Sequence, residues 1–400
     1  MADRKVIYLD NAATTPVDPG VLKTMWPYFG RYYGNASSLH GAGLKAKAAV
    51  AEAQVKIAGF WGCRPDEVYF TSGATESDNL AILGLIGGLK RYGGKKHIIT
   101  SQIEHDAVLE PCRQLAKNKV AEVTFLPVNK SGLVETKFLL KAIKPETALV
   151  SLMYVNNEIG TIQPIAEIGR LIERENKNRK KENKIYFHVD ATQAPSYLDC
   201  DVSKLKVDAL SVSAHKIYGP KGVGALYLKQ GTPLEPLIFG GHQQRNVRSG
   251  TYNVSGIVGL GQAVELLQNK KIRALEIKRI RDLRDRLIRK IKKQIGGVEV
   301  NGDLKQRVAN NASFVFRGAE GESIVLMLAE KGIAVSTGSA CSSGSLEPSH
   351  VLSAIGVKPE LAHGSLRVTL GRFTTRQEVN ALIRELPPII KKLRSMSPLK

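Results

Sequence analysis

Short apolar runs alternate with longer amphipathic stretches along about the first 230 residues of the chain. The apolar runs are rich in Val, Ile, Leu and Phe, which predicts strands that are buried on both faces. The stretches between them repeat apolar residues every three or four positions, which predicts helices. The predicted strands are 6–9, 68–71, 97–100, 120–126, 148–153, 185–189, 209–212 and 224–228. The predicted helices begin at 18–19, 37–38, 75, 106, 135 and 165.

This alternation of strand and helix predicts an α/β fold with a mostly parallel sheet covered by helices on both faces. Residues 254–295 then carry a long, mostly continuous helical pattern that leads away from this unit. Beyond it, the pattern predicts a second, smaller α+β unit. Its predicted strands are 312–316 and 365–370, and its predicted helices are 322–330 and 377–394.

Composition is typical of a soluble globular protein. The 400 residues are 43% hydrophobic and 24% charged, and the length suggests two domains. The sequence shows no secretory signal and no apolar stretch of about 20 residues, so we expect a cytoplasmic protein without a membrane partner. The four cysteines are scattered without a Cys-x-x-Cys pair, so we predict neither a metal site nor a disulfide framework.

The net charge of +21 is large and raises the question of a polyanionic partner. The most basic stretch, 174–184, contains six Lys or Arg residues together with Glu175 and Glu182. That mixture is typical of a solvated helix end and loop. No arginine-rich arm, zinc finger or aromatic RNA-binding motif accompanies the charge, so we do not expect nucleic acid as a partner.

Polar side chains follow five of the predicted strands, which is where ligands bind in an open parallel sheet. Each such group on its own is typical of a turn or a helix cap. Five together predict one crevice that holds a phosphate, a carboxylate, an imidazole and an amine. The groups are SGAT at 72–75, EH at 104–105, NNE at 156–158, DATQ at 190–193 and SAHK at 213–216.

This combination suits pyridoxal 5'-phosphate (PLP), which needs a lysine for its Schiff base, a carboxylate beside its pyridine nitrogen and an anion cup for its phosphate. Lys216 ends a short apolar strand, and crowding there makes the neutral amine available for imine formation. Asp190 follows a buried strand and is placed to be the counter-charge. The alternatives are an exposed lysine beside a Gly-Pro turn and an aspartate that caps a turn.

Cys341 lies in STGSACSSGS, residues 336–345, a stretch too small and polar to be core. A thiol in such a stretch is exposed and available for reaction, or else an incidental surface cysteine. The other three cysteines, Cys63, Cys112 and Cys200, are interpreted as structural or incidental.

Nine motifs spread in order along the chain resemble those of the NifS/IscS-type cysteine desulfurases of the class-V aminotransferase family. No one of them is specific, but the set is. They are YLDNAATTP (8–16), TSGATESDN (71–79), EH (104–105), VNNEIG (155–160), HVDATQ (188–193), HKIYGPKG (215–222), RSGT (248–251), GSAC (338–341) and SLR (365–367).

The resemblance implies a role for each matching residue. Lys216 would form the Schiff base, His105 would stack on the ring and move protons, and Cys341 would be the nucleophile that accepts sulfur. The ring nitrogen and ring oxygen would be bound by Asp190 and Gln193. The implied phosphate cup is Ala74, Thr75, Ser213 and His215, completed by Thr251 from a neighbouring subunit. The implied clamp on the substrate carboxylate is Asn156 and Arg367, where a planar guanidinium suits the carboxylate geometry.

The resemblance further implies the type I fold of PLP-dependent transferases. It implies a large PLP-binding domain over 15–262 and a small domain, formed by 1–14 and 263–400, that carries the cysteine loop. The implied reaction converts L-cysteine into L-alanine. The sulfur is held as a persulfide on Cys341 and passed to an acceptor or scaffold protein for iron–sulfur cluster assembly or tRNA thiolation. The implied oligomer is a homodimer.

Several positions depart from the family pattern. Gln244 stands where the family often has Glu, Ala214 replaces a common Gly, and Ala36 replaces a common Pro. The sequence ends shortly after the last predicted helix, so we do not expect a scaffold protein to dock through a C-terminal tail. A selenocysteine lyase or a class-V aminotransferase is the alternative on the same cofactor.

Overall fold

The computed structural model describes residues 6–89, 93, 96–338 and 348–396. Its larger unit is built on a seven-stranded sheet with the strand order β2-β8-β7-β6-β5-β3-β4. The strands of this sheet are β2 (Val68–Thr71), β3 (Lys96–Ser101), β4 (Ala121–Leu126), β5 (Thr147–Met153), β6 (Tyr186–Asp190), β7 (Ala209–Ser213) and β8 (Gly224–Leu228). Every pair from β4 to β7 is parallel, and β8 runs antiparallel to both of its neighbours, β7 and β2.

Nine α-helices of the described chain belong to this unit. They are α1 (Pro19–Met25), α2 (Gly41–Trp61), α3 (Ala74–Asn79), α4 (Leu85–Gly88), α5 (Asp106–Lys117), α6 (Thr136–Ala142), α7 (Ile165–Asn176), α8 (Val202–Leu205) and α9 (Val254–Gln268). A π-helical turn, Leu80–Gly84, joins α3 to α4.

Alternate strand residues pack into different hydrophobic clusters, because successive side chains of a strand point to opposite faces. Ile98 and Leu149 belong to one cluster, with residues of α4 and α5. Their neighbours Ile99 and Val150 belong to another, with residues of α2, α7 and α9. All four are fully buried, which stabilises the fold by roughly 1.5–3 kcal/mol per side chain. The sheet is therefore covered on both faces, and the predicted α/β fold class is confirmed.

The smaller unit packs helices against a three-stranded antiparallel sheet with the order β12-β10-β9. Its strands are β9 (Val298–Val300), β10 (Asn311–Phe316), β11 (Ile333–Ala334) and β12 (Ser365–Thr369), and β11 pairs with β1 (Ile7–Tyr8). Its helices are α10 (Lys270–Gln294), α11 (Gly321–Glu330), α12 (His350–Ala354), α13 (Pro359–Ala362) and α14 (Arg376–Met396). The N-terminal strand thus joins the C-terminal part of the chain.

The long helical pattern over 254–295 is two helices, because Asn269 leaves helical geometry at φ −73° and ψ 88°. Its side chain accepts a hydrogen bond from the Ile272 N–H at 3.1 Å, which caps the start of α10. The other predicted elements match observed ones to within a few residues at their ends. The exact domain boundaries, 15–262 against 1–14 and 263–400, stay a prediction.

Candidate active site

The carboxyl ends of β5, β6 and β7 open onto a cavity of about 790 Å³. Its sheet wall consists of Asp190, Ser213, His215 and Lys216, which come from the ends of β6 and β7 and the turn that follows. Its junction wall consists of Glu158, Gly338, Ser349 and Arg367, where the large and small units meet. A parallel sheet presents strand ends at one edge, so the topology itself places the sheet wall.

Lys216 lies in a single 3-10 turn directly after β7. Its ammonium nitrogen Nζ donates hydrogen bonds to the carbonyl oxygens of Ala12 and Ala13, each at 2.6 Å. The turn itself is fixed from the same N-terminal segment, because the Thr15 hydroxyl donates to the His215 carbonyl at 2.9 Å. A lysine held in this way projects into the cavity and not into solvent.

Asp190 ends β6 and is 6% exposed. Its Oδ1 accepts a hydrogen bond from the Thr192 N–H at 2.9 Å, which fixes the carboxylate at the mouth of the sheet. Gln193 follows in the same turn, and its amide donates to the Ala12 carbonyl at 3.0 Å. Both side chains line the cavity beside Lys216.

His105 caps the N-terminus of α5, where its Nδ1 accepts from the Ala107 N–H at 3.1 Å. That bond fixes the orientation of the ring, which lines the cavity. Glu104 precedes it and is 1% exposed, with its Oε1 accepting from the Ser101 hydroxyl at 2.5 Å. Burial raises the pKa of Glu104 well above its ordinary value, and the nearby Asp190 and Asp78 add to the rise.

A small polar recess is formed where Gly73 precedes α3. Gly73 has φ 159° and ψ −179°, a backbone conformation that side chains disfavour. Ala74 and Thr75 follow it, and Ser213 and His215 lie at the same part of the cavity lining. Burial, together with the charges of Lys216 and Lys221, lowers the pKa of His215 to about 4.

Arg367 is 2% exposed and anchors the junction wall. One terminal nitrogen donates to Asp10 Oδ1 at 3.0 Å and the other to the Asn157 carbonyl at 3.1 Å. Its Nε–H has no acceptor among the residues that the structure describes, although it is buried. A buried donor without an acceptor is costly, so the site is suited to an anionic ligand.

Glu158 ties the junction wall together. Its Oε2 accepts from the Ser349 hydroxyl at 2.6 Å, and a Cβ on Gly338 would lie 2.7 Å from the same oxygen. Burial raises the pKa of Glu158 to about 7, although Ser349 and Arg367 oppose the rise. The structure does not describe residues 339–347, so Cys341 lies outside the described residues.

The structure brings nine of the twelve predicted site residues to one cavity. They are Ala74, Thr75, His105, Asp190, Gln193, Ser213, His215, Lys216 and Arg367. Two do not line it. The Asn156 side chain is buried and bonds to the backbone of Ile103, Glu158 and Ile159, and Thr251 is exposed.

The cavity residues that were missed as site residues include three buried carboxyl residues, Asp78, Glu104 and Glu158. A signal for Asp78 was available, because it lies three positions after Thr75 and so on the same helix face. Glu104 and Glu158 lie inside motifs singled out for their neighbours. Nothing in the sequence shows that these two carboxyl groups are buried.

Comparisons with known proteins agree with this geometry. The family model described as aminotransferase class-V matches residues 7–382. A cysteine desulfurase named IscS from Dictyoglomus turgidum is 50% identical over 399 residues, which are 99% of this chain and 98% of that protein. This chain belongs to the class-V aminotransferase family, among the cysteine desulfurases.

Two solved structures show that the similarity between this chain and known proteins includes the fold. A NifS-like protein superposes with a TM-score of 0.87 at 36% identity, over 98% of this chain and 99% of that one. A structure titled SspA in complex with cysteine superposes with a TM-score of 0.79 at 37% identity, over 92% of this chain and 99% of that one. The type I fold is therefore shown, and the family is one of PLP-dependent enzymes.

Gln244, where this desulfurase departs from the family pattern, has a defined structural role. Its side-chain amide pairs with the backbone of the edge strand β2, accepting from the Phe70 N–H at 2.6 Å and donating to the Phe70 carbonyl at 2.8 Å.

Within the described ranges, no helix is long and apolar enough to cross a membrane. The same residues contain no cluster of His, Cys, Asp or Glu that could hold a metal ion.

Proposed function

We propose that this protein is a cysteine desulfurase that uses PLP to convert L-cysteine into L-alanine. The sulfur is held as a persulfide on Cys341 and then passed to an acceptor protein for iron–sulfur cluster assembly or tRNA thiolation. The observation that carries the proposal is the convergence of Lys216, Asp190 and Arg367 on one cavity. Full-length relatives that bear the name cysteine desulfurase support it.

The residues of the cavity fit PLP. Lys216 offers the amine, Asp190 the carboxylate for the ring nitrogen, and Gln193 a donor for the ring oxygen. Gly73 places no side chain in the recess, whereas a Cβ at this position would lie 3.6 Å from Ser213 Oγ. Ala74, Thr75, Ser213 and His215 would hold the phosphate. When bound, PLP supplies a protonated ring that withdraws electrons from the substrate α-carbon.

Lys216 moves the α-proton in this proposal. Its Nζ donates hydrogen bonds to the Ala12 and Ala13 carbonyls, each at 2.6 Å, and these bonds hold the amine in the cavity. General-base catalysis of this kind contributes about 10²–10⁴-fold to the rate. His105 lies in the same cavity and is the second group that can carry a proton there.

Arg367 binds the substrate carboxylate. The buried Nε–H is a donor with no acceptor in the described structure, and a carboxylate would satisfy it. Asp10 and the Asn157 carbonyl hold the other two nitrogens, so the guanidinium plane is fixed before substrate arrives. Asn156 stays a predicted partner of this clamp, through a side chain that would first have to leave its backbone contacts.

We also propose a homodimer. Trp26, Phe29, Tyr33 and Leu39 lie close together in the sequence and are all more than 60% exposed, which is typical of residues that a partner subunit covers. Thr251 lies outside the cavity of its own chain, as expected of a residue that completes a neighbour's phosphate cup. Sedimentation that shows a fully active monomer would contradict this part. The cytoplasmic location and the transfer of sulfur to an acceptor or scaffold protein stay predictions.

The test of the proposed function is the release of alanine and sulfide from L-cysteine, with and without reductant. Wild type should release stoichiometric alanine and reductant-dependent sulfide, and Cys341→Ala should abolish both. Cys63→Ala is the matched control, because this thiol lies far along the chain and burial raises its pKa to about 12. Release that survives Cys341→Ala would favour a lyase, and turnover of other amino acids alone would favour an aminotransferase.

A further inference from the structure

A buried polar chain crosses three strands beneath the sheet wall. The His188 ring on β6 lies between two hydroxyls, with Nδ1 2.8 Å from Ser151 Oγ and Nε2 2.9 Å from Ser211 Oγ. His188 and Asp190 are two residues apart on one strand and so face the same side of the sheet. Ser211 is the direct neighbour of Asp190 on β7. The chain therefore lies immediately under the carboxylate proposed for the ring nitrogen.

Asp78 covers this chain from α3. It has no exposed surface, and its Oδ1 lies 3.5 Å from His188 Nε2. Neither carboxyl oxygen makes a hydrogen bond of good geometry with the described residues. Around it stand Asp190 and His188 on β6, Ser211 on β7, and Glu104 and His105 at the start of α5. Asp78 also lines the cavity.

An ionised Asp78 would be a buried charge without compensation, which proteins avoid by holding the proton. Burial raises the pKa of Asp78 well above its ordinary value, and the charge of Asp190 raises it further. The Ser211 hydroxyl and His105 act in the opposite direction but more weakly. His188 offers no counter-charge, because burial lowers its own pKa to about 4.

The hydrogens available to His188 and its two serine neighbours show where a proton on Asp78 can be donated. Neutral His188 has one N–H, so one of its two serine neighbours must donate to it. If Nδ1–H donates to Ser151, Nε2 accepts from Ser211, whose oxygen is then left as an acceptor. A protonated Asp78 is the adjacent group that can donate to it. Every member of the chain then has a partner without a buried charge.

We propose that Asp78 is a positioning residue that acts as a neutral carboxylic acid. It donates to the Ser211–His188 pair and leaves Asp190 as the one carboxylate beneath the ring site. The second part rests on the proposed function, because it assumes a cationic ring at Asp190. A single negative charge matches a single protonated ring nitrogen, whereas two adjacent carboxylates would compete for its proton.

The direct test is infrared difference spectroscopy on the full chain, before and after removal of the cofactor. Asp78→Asn keeps the size of the side chain, and the wild-type minus variant spectrum should show the carbonyl stretch of a protonated carboxylic acid. Asp282→Asn, at an exposed position, is the control and should show a carboxylate band instead. A carboxylate band in the Asp78 difference spectrum would overturn the proposal. This readout holds whether or not the protein is a desulfurase.

The second test is the dissociation constant of PLP, measured by titrating the cofactor-free full chain. Asp78→Asn keeps a neutral donor and should bind within about threefold of wild type, whereas Asp190→Asn should bind about 100-fold more weakly. Ser211→Ala removes the acceptor and should shift the pH midpoint of the bound cofactor's absorption, while Asp78→Asn should not. Loss of affinity in Asp78→Asn equal to that in Asp190→Asn would show that Asp78 carries the charge and would overturn the proposal. Failure of every variant and of wild type to bind PLP would instead refute the proposed function.

Discussion

The sheet wall and the junction wall of the cavity differ in the sequence distance that separates their residues. Asp190 ends β6 and Lys216 lies in the turn after β7. The register between these two neighbouring strands fixes the relative positions of the two residues. The junction wall joins Glu158 to Ser349 and Arg367, which lie about 200 residues further along the chain. Its geometry depends on how two separately packed units meet.

The two walls also differ in the groups they leave without partners. Asp190 and Lys216 on the sheet wall have hydrogen-bond partners within the protein. On the junction wall, Arg367 has a buried donor that no described residue satisfies, and Glu158 carries a carboxyl whose pKa is raised to about 7. The sheet wall is therefore suited to a resident group, and the junction wall to ligands that come and go.

The largest expected effect comes from the sheet wall. Lys216→Ala should lower the rate of alanine release from L-cysteine about 1,000-fold, because it removes the general base. Lys216→Arg keeps a positive charge near the Ala12 and Ala13 carbonyls and should be almost as inactive, since a guanidinium does not lose its proton. Retention of more than about a tenth of the wild-type rate by either variant would contradict the role of Lys216.

On the junction wall, Arg367→Lys should lower kcat/KM for L-cysteine by about 10–100-fold, mainly through KM. The ammonium can keep the Asp10 contact but cannot place a second, in-plane donor where Nε lies. The affinity for PLP should stay at the wild-type value, which would separate the two walls. Equal loss of cofactor and substrate affinity would show that they act as one.

The sequence predicted the sheet wall better than the junction wall, and the reason is physical. Strand ends of a parallel sheet meet at one edge, so local patterns at 190–193 and 213–216 were enough to place Asp190 and Lys216 together. No local pattern reports that Arg367 reaches Asp10, because that contact depends on the packing of β12 beside the N-terminal strand. Its assignment came from resemblance alone.

The burial of carboxyl groups is a second feature that could not be predicted from the sequence. Glu158 belongs to a group that on its own is typical of a turn or a helix cap, and Asp78 lies in a motif singled out for other residues. The burial of both is a property of the assembled cavity. The break at Asn269 was missed for a different reason, because helices lie directly on both sides of it and a single capping residue separates them. Hydrophobic periodicity predicts where helices and strands lie and which of their faces are buried. The desolvation of a carboxyl group depends instead on which segments cover it in the folded protein.

Glu158 should make stability depend on pH. Its pKa is about 7 in the folded protein and lower when unfolded, so the folded state holds the proton more tightly. Between about pH 4.5 and 7, stability therefore falls as pH rises, and the loss is complete above pH 7. Glu158→Gln should be equal to wild type near pH 4.5 and more stable above pH 7, by on the order of 2 kcal/mol. Urea unfolding across this range measures it, and parallel curves for the two proteins would contradict the assignment.

The smallest expected difference compares one glycine from each side of the cavity. Gly73 has φ 159° and ψ −179°, so Gly73→Ala strains the backbone and should cost about 1–2 kcal/mol of stability, with weaker PLP binding. Gly338→Ala places a Cβ 2.7 Å from Glu158 Oε2, so this carboxyl has to shift and its hydrogen bond with Ser349 weakens. The second variant should therefore keep the PLP affinity of wild type but raise KM for L-cysteine about threefold, because Glu158 neighbours Arg367. Urea unfolding, PLP titration and steady-state kinetics separate the two cases. A Gly338→Ala protein that loses cofactor, or a Gly73→Ala protein that changes only KM, would mean that the two walls do not divide the binding of cofactor and substrate between them.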